Sequence, residues 1–336
     1  MKRNQSSAPI DFVITWVDGN DPAWNAERKK YITEAQIGDN REIRFRDWGT
    51  LIYWFRSVEK YAPWVNKIYF ITAGHIPSWL NTSHPKLEIV RHADYIPAEF
   101  LPTFNSHTIE LNFHRIRGLS EQFVYFNDDV FLNAPVKATD FFKNGLPRET
   151  FALNTILFGP DNLGAVNGNN LCIINKNFSK KACFKRNWYK WLSPINGLEN
   201  IVRTSLLLPW PWFPGFLYKH TTSSFLKTTL NTLWERENEV LKATCSCRFR
   251  QQNNVNQWLF KFWQMADGKF IPISDHFSYC YHIKDTVQPV CKSIERNHFK
   301  VICINDTGET SKFNILANEL CETFSRIFPN KSTFER

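Results

Sequence analysis

The stretch Phe123-Val-Tyr-Phe-Asn-Asp-Asp-Val-Phe-Leu132 is an apolar run with three polar groups, Asn127, Asp128 and Asp129, set into its middle. Apolar and aromatic residues on both sides of a short run are what a strand buried in a sheet requires. Adjacent carboxylates within it are costly unless something compensates them, and a bound cation is one compensation. A polar turn closing a core strand is another, since Asn and Asp are preferred turn residues. Were the strand to continue through the pair, alternation would send one Asp into a cleft and its neighbour to the opposite face.

Working outward, Ile10-Asp-Phe-Val-Ile-Thr-Trp-Val17 reads as a buried strand that runs into the turn Asp18-Gly-Asn-Asp-Pro22. Ligands of open α/β sheets gather at strand C-termini, which puts Asp18 and Asp21 on the ligand side; turn chemistry before Pro22 accounts for them as well. From Asp47 to Tyr61, residues Trp48, Leu51, Ile52, Phe55 and Val58 recur at helical spacing before Ala62-Pro63. Strands at 67–72 and 86–91 follow, and this alternation predicts a largely parallel sheet.

Asn105 or Ser106 is placed to cap a helix reaching about Gly118. His107, Glu110 and His114 would share one face of it, as a metal triad, a substrate-orienting face or a solvated one. Residues 136–215 are less regular and read as an insertion or lid, with a basic run that includes Lys180, Lys181, Lys185 and Arg186. At its end, the Pro-punctuated apolar segment Ser205–Tyr218 is too short and too rich in Pro to span a bilayer and reads as a buried loop, with an interfacial placement of its aromatics as the alternative. His220 precedes Ser223 and Ser224, which are expected to cap a helix carrying Leu226, Leu230 and Leu233. That helix field would lower the imidazole pKa and leave a neutral base. Arg248 and Arg250 stand ahead of another helix and suit phosphate. A last strand, Phe299–Asp306, again ends in Asn-Asp, at Asn305 and Asp306, before an amphipathic helix with Phe313, Leu316, Leu320, Phe324 and Ile327.

With 336 residues, 43% hydrophobic and 15% aromatic, the chain is globular, and only residues 1–8 read as a flexible terminus. The formal charge of +9 points to an anionic partner: nucleic acid, a phosphate-bearing small molecule or an acidic membrane face. Its 8 cysteines all lie in the second half with no C-x-x-C pair, which predicts free thiols rather than structural zinc. No secretory leader is read at Met1–Ser7.

These residues resemble the Stealth proteins, a family that includes bacterial capsular polysaccharide phosphotransferases and the catalytic subunit of the lysosomal-enzyme N-acetylglucosamine-1-phosphotransferase. The similar blocks are Ile10–Trp24, Phe45–Leu132, Phe216–Phe270 with His220 and Arg250, and Cys303–Glu335. The long spacer modules of the mammalian branch are absent, which favours the bacterial one. The resemblance implies a single nucleotide-sugar-transferase-like, Rossmann-like α/β domain over 9–336, divided at 9–135, 136–215 and 216–336, with helices on both faces of the sheet.

It further implies transfer of a hexose or N-acetylhexosamine 1-phosphate from a UDP-sugar to a glycan hydroxyl, with release of UMP, in capsule or exopolysaccharide synthesis. The expected catalytic residues are His220, Asp128, Asp129 and Arg250, with Mg²⁺ or Mn²⁺ on the two aspartates. Substrate binding is expected from Trp16, Asp18, Asp47, Asn105, Ser106, His107, Glu110, His114, Arg115, Asn127, Lys227, Asn305 and Asp306. Where the family commonly carries an acid four residues after the third-block Arg, this chain has Asn254. Expected partners are a nucleotide sugar and a glycan or lipid-linked oligosaccharide, with no nucleic acid. The expected location is cytoplasmic, with peripheral contact at the inner membrane face. Two rival readings stand beside this one: a metal-dependent glycosyltransferase releasing UDP, and a basic nucleic-acid-binding protein.

Overall fold

The computed structural model describes residues 8–32, 45–159, 163–308 and 311–336, so most of the terminus read as flexible lies outside the described residues. The strands are β1 (Ile10–Thr15), β2 (Ile68–Thr72), β3 (Leu87–Arg91), β4 (Gln122–Phe126), β5 (Val130–Leu132), β6 (Phe142–Lys143), β7 (Leu146–Glu149), β8 (Ser223–Leu226), β9 (Ile271–Pro272), β10 (Ser278–Ile283) and β11 (Val301–Asp306). The central sheet has the order β3-β2-β1-β4-β8, parallel from β3 to β4, with β8 antiparallel at the edge. Phe12 sets the register, facing Ile68 on one side and Val124 on the other.

Strand alternation then makes two cores. Phe12, Ile14, Val124 and Phe126 face one, closed by helix Leu51–Tyr61 through Leu51, Trp54, Phe55 and Val58. Val13, Phe123 and Tyr125 face the other, closed by helices that include Lys227–Arg236 and Trp258–Asp267. In Trp258–Asp267 every residue but the last is buried, so the helix is a core element of its own. Asp11 is buried within β1 but fully satisfied: it accepts from Asn66 Nδ2 (2.7 Å) and the backbone N–H groups of Lys67 (3.2 Å) and Ser120 (2.7 Å).

The expected architecture of a largely parallel sheet with helices on both faces is what the chain adopts. A second sheet, β10-β11-β5, abuts it, and the chain passes between the two at the turn joining β4 to β5.

Two local expectations change. Ser223 and Ser224 do not cap a helix; they are strand residues, and the helix starts at Lys227. Pairing to the open edge of β4 outweighs the local capping signal. Much of the segment expected to be irregular is helical, at Leu163–Asn177, Lys180–Trp191 and Leu198–Leu207. Helix Leu163–Asn177 packs on the buried helix Trp258–Asp267, and its Asn170 donates to Asn256 Oδ1 (2.8 Å). Buried asparagines erase the polar stripe that would have revealed it. Among the described residues no helix is long and apolar enough to cross a membrane.

Candidate active site

Several strand ends and loops meet around a cavity of about 970 Å³, at the upper end of the range for small-molecule sites. Trp16 follows β1, Asn127 to Asp129 follow β4, and His220 precedes the antiparallel β8, so all three reach one edge of the sheet. Asn305 and Asp306 enter from the end of β11, and Ser106, His107 and Glu110 from helix Ser106–Leu111. The two Asn-Asp strand ends thus line one cavity, although they belong to different sheets.

β4 stops at Phe126, and the Val130 N–H donates to the Asn127 carbonyl (3.1 Å), so the Asp pair occupies a turn. Strand alternation no longer applies, and both carboxylates line the cavity. The Asp129 carbonyl accepts from the Ile304 N–H (2.8 Å), which pins the turn to β11. Enclosure by the cavity walls, then the charges of Asp129 and Asp47, push the Asp128 carboxyl up to about 7. Water still reaches this side chain, so none of the rise converts into stability. Asp129 Oδ1 is buried with no hydrogen-bond partner, while Oδ2 lies 3.2 Å from His220 Nε2 and accepts from Cys303 Sγ (3.4 Å).

His220 Nε2 has a second neighbour, Asn127 Nδ2 at 3.1 Å. One nitrogen serves these two in turn: protonated it donates to Asp129, and unprotonated it accepts from the Asn127 amide. The expectation of a lowered pKa is overturned. The helix expected to begin just after His220 does not form there, since strand β8 follows it. Burial does depress the imidazole, but the Asp129 charge and hydrogen bond more than offset this and raise it to about 9.

Arg250 is positioned from helix Ser106–Leu111. Its Nη2 and Nε donate to Ser106 Oγ at 2.8 and 3.2 Å. Asn105 caps that helix by accepting the His107 N–H (3.1 Å) and does not itself line the cavity. Its amide instead crosses to the Arg250 loop, donating to Asn254 Oδ1 (3.0 Å) and the Cys247 carbonyl (3.1 Å). Asn254 also accepts the Gln251 N–H (3.0 Å), so this position holds the loop through neutral hydrogen bonds. Arg248 points elsewhere, its guanidinium 4.8 Å from the Tyr31 ring.

Deeper in, Tyr125 OH donates to Glu110 Oε1 (3.2 Å) and lies 3.1 Å from Thr15 Oγ1. Burial pushes the Glu110 carboxyl up to about 7. Burial and then the Arg250 charge push His107 down to about 3, so this face is held near neutral charge.

The structure does not bring every expected residue here. The helix ends at Leu111, and His114 and Arg115 fall on a 3₁₀ turn whose side chains pack over Trp234, so the helical face breaks before His114. Lys227 lies at the far end of β8, donating to the Ile116 and Leu119 carbonyls, and cannot serve the cavity. Asp18 sits outside the lining, its N–H donating to His75 Nε2 (2.9 Å); Asp47 does line the cavity, and burial first, then the Asp18 charge, raise its pKa.

The sequence reading missed Arg46, which pairs with Asp306 (3.6 Å), and Lys219, which pairs with Asp275 (2.8 Å). Adjacency to Asp47 and His220 was the only signal for either.

Compared with known families, the chain matches models of Stealth protein conserved region 1 over residues 8–34, conserved region 2 over 44–149 and conserved region 4 over 292–336. It is 41% identical over 329 residues to a capsular polysaccharide phosphotransferase, WcwK, of Streptococcus pneumoniae, covering 97% of this chain and 98% of that protein. The receptor polysaccharide phosphotransferase WefC of Streptococcus oralis is 38% identical over 332 residues, 97% of this chain and 99% of its own length. The exopolysaccharide phosphotransferase cps2G of Lactiplantibacillus plantarum is 38% identical over 329 residues, 97% of this chain and 96% of its own length.

Proposed function

We propose, from the premise that this chain belongs to the Stealth family of bacterial polysaccharide phosphotransferases, that it moves a hexose or N-acetylhexosamine 1-phosphate from a UDP-sugar to a hydroxyl of a cell-surface glycan. The acceptor oxygen attacks the phosphorus that carries the sugar. A phosphodiester forms, the bond to the second phosphorus breaks, and UMP leaves. The expected setting is the cytoplasmic side of the membrane, where nucleotide sugars meet lipid-linked acceptors.

The observation that carries this reading is the paired hold on His220 Nε2 by Asn127 and Asp129. A group that must take a proton at one moment and keep it at the next needs a partner for each state, and this nitrogen has both. The acceptor hydroxyl gives its proton to Nε2, and Asp129 then stabilises the imidazolium. Arg250, fixed by Ser106, faces the developing phosphoryl charge, in keeping with chemistry that is mostly positioning and electrostatics.

Asp128 and Asp129 suit a hard divalent cation, Mg²⁺ or Mn²⁺, because two carboxylates share one turn and Asp129 Oδ1 is buried without a partner. Such an ion, when bound, supplies positive charge for the donor pyrophosphate and draws on the Asp129 charge, which favours unprotonated His220. The donor is expected along Trp16, Asp47, Asn305 and Asp306, and the acceptor toward His107 and Glu110.

Incubation with a panel of UDP-sugars and an acceptor oligosaccharide tests the reading. UMP release that depends on acceptor supports it. Acceptor-dependent UDP release would replace it with ordinary glycosyl transfer.

A further inference from the structure

Helix Leu198–Leu207 leaves one stripe uncovered. Leu198 is 78% exposed, Val202 49% and Leu206 68%, at i, i+4 and i+8. The loop that follows continues it with Trp210 at 57% and Trp212 at 62%. Large apolar groups exposed this far mark an interaction face, and tryptophans beside a leucine stripe suit the boundary of a bilayer.

Its neighbour is basic. Lys180 buries its ammonium on the carbonyls of Leu207, Leu208 and Trp210, which fixes the loop tip against helix Lys180–Trp191. Lys181, Lys185 and Arg186 of that helix stay exposed, while the exposed acid of the stripe helix, Glu199, is paired to Arg203. The helix that carries this base therefore adjoins the apolar tip through Lys180.

The tip is also tied to the cavity. Asn175 donates to the Phe213 carbonyl (3.1 Å) and accepts the Phe213 N–H (2.9 Å). Asn175 sits near the C-terminal end of helix Leu163–Asn177, whose Val166 lines the cavity. At 1.5 Å per residue the two positions are about 14 Å apart along the axis.

We propose that this face docks the enzyme on an anionic lipid surface, with Trp210 and Trp212 entering the headgroup boundary and Lys181, Lys185 and Arg186 meeting lipid phosphate. Docking there brings the cavity within reach of a glycan carried on lipid. The docking itself does not depend on the phosphoryl-transfer chemistry above, and its test needs no turnover.

The full-length chain is floated with vesicles of phosphatidylcholine plus phosphatidylglycerol, and with phosphatidylcholine alone. It is expected to float with the anionic vesicles and to remain behind with the neutral ones. Lys181→Ser combined with Lys185→Ser is expected to weaken partition roughly thirtyfold at low salt and to flatten its salt dependence. Trp210→Ser combined with Trp212→Ser is expected to weaken it at every salt concentration. All four positions are exposed, so both variants should keep the parent melting temperature, which is measured alongside. Failure to float with anionic vesicles, or flotation unchanged in both variants, overturns the proposal. Light scattering supplies the other arm: a monomer for parent and Trp variant supports it, whereas a dimer lost in the Trp variant would assign the face to a second copy.

Discussion

Asn105→Ala is expected to reach the active site without touching substrate. Asn105 is fully buried, caps helix Ser106–Leu111, and donates across to Cys247 and Asn254 on the loop that carries Arg250. Losing the cap costs about 1 kcal/mol. Leaving the Cys247 carbonyl and the Asn254 amide oxygen short of a donor costs about 1–3 kcal/mol more, with the lower part favoured because Asn254 keeps the Gln251 N–H. The sum, about 2–4 kcal/mol, corresponds to a melting temperature lower by roughly 3–6 °C for a chain of this size.

Ser106 and its hold on Arg250 sit at the end of that helix, so a small shift there propagates to the guanidinium. A 10- to 100-fold fall in kcat/KM for UMP release is the estimate, about what a misplacement near 1 Å costs. Circular dichroism melts and a UMP-release assay read the two effects. Asn254→Ala in the same background should add less than its single effect, because the two side chains share a bond. If Asn105→Ala melts within about 1 °C of the parent and turns over normally, the coupling argued here is wrong.

His220→Gln removes a group that can hold a proton in two states, and UMP release is expected to fall about 10²- to 10⁴-fold with little change in melting; full activity would refute the base assignment. Glu110→Gln tests the buried carboxyl. Its folded pKa is raised from 4.5 to about 7, so the native state favours the protonated form and loses stability as pH rises through that window. The variant should therefore be more stable than the parent above about pH 7, by at most about 3 kcal/mol, and the advantage should shrink toward pH 4.5, as denaturant melts across pH would show. Lys261→Met strips the partner from Glu149 in a pair with side chains only 5% and 10% exposed (3.2 Å), and should destabilise by about 3–5 kcal/mol. Lys261→Met with Glu149→Gln should recover much of that loss in the same melts.

The elements read most securely from sequence were those whose pattern matched their surroundings. Helix Leu51–Tyr61 carries its apolar face against one side of the sheet, and the last helix adds Leu316, Leu320 and Phe324 to the same core. The Asp turn was legible because two carboxylates interrupt an apolar run. What escaped was set by contacts distant in sequence. Ser223 and Ser224 carry a capping signal, but pairing with Tyr125 and Val124 makes them a strand. That change takes His220 off the N-terminus of the helix expected after it and leaves it against Asp129, which reverses the sign of its pKa shift. Lys227 follows from the same correction, since a strand carries it to the far end of β8. His114 shows the remaining limit: helical spacing placed it with His107 and Glu110, but the helix stops at Leu111.

Attack by the acceptor oxygen on phosphorus and attack on the sugar carbon leave different products. Phosphorus NMR of the purified product made from a UDP-N-acetylhexosamine and acceptor oligosaccharide tells them apart most directly. A phosphodiester resonance in the glycan, with UMP as the released nucleotide, is the predicted result. A product glycan free of phosphorus, formed with UDP, would contradict the account.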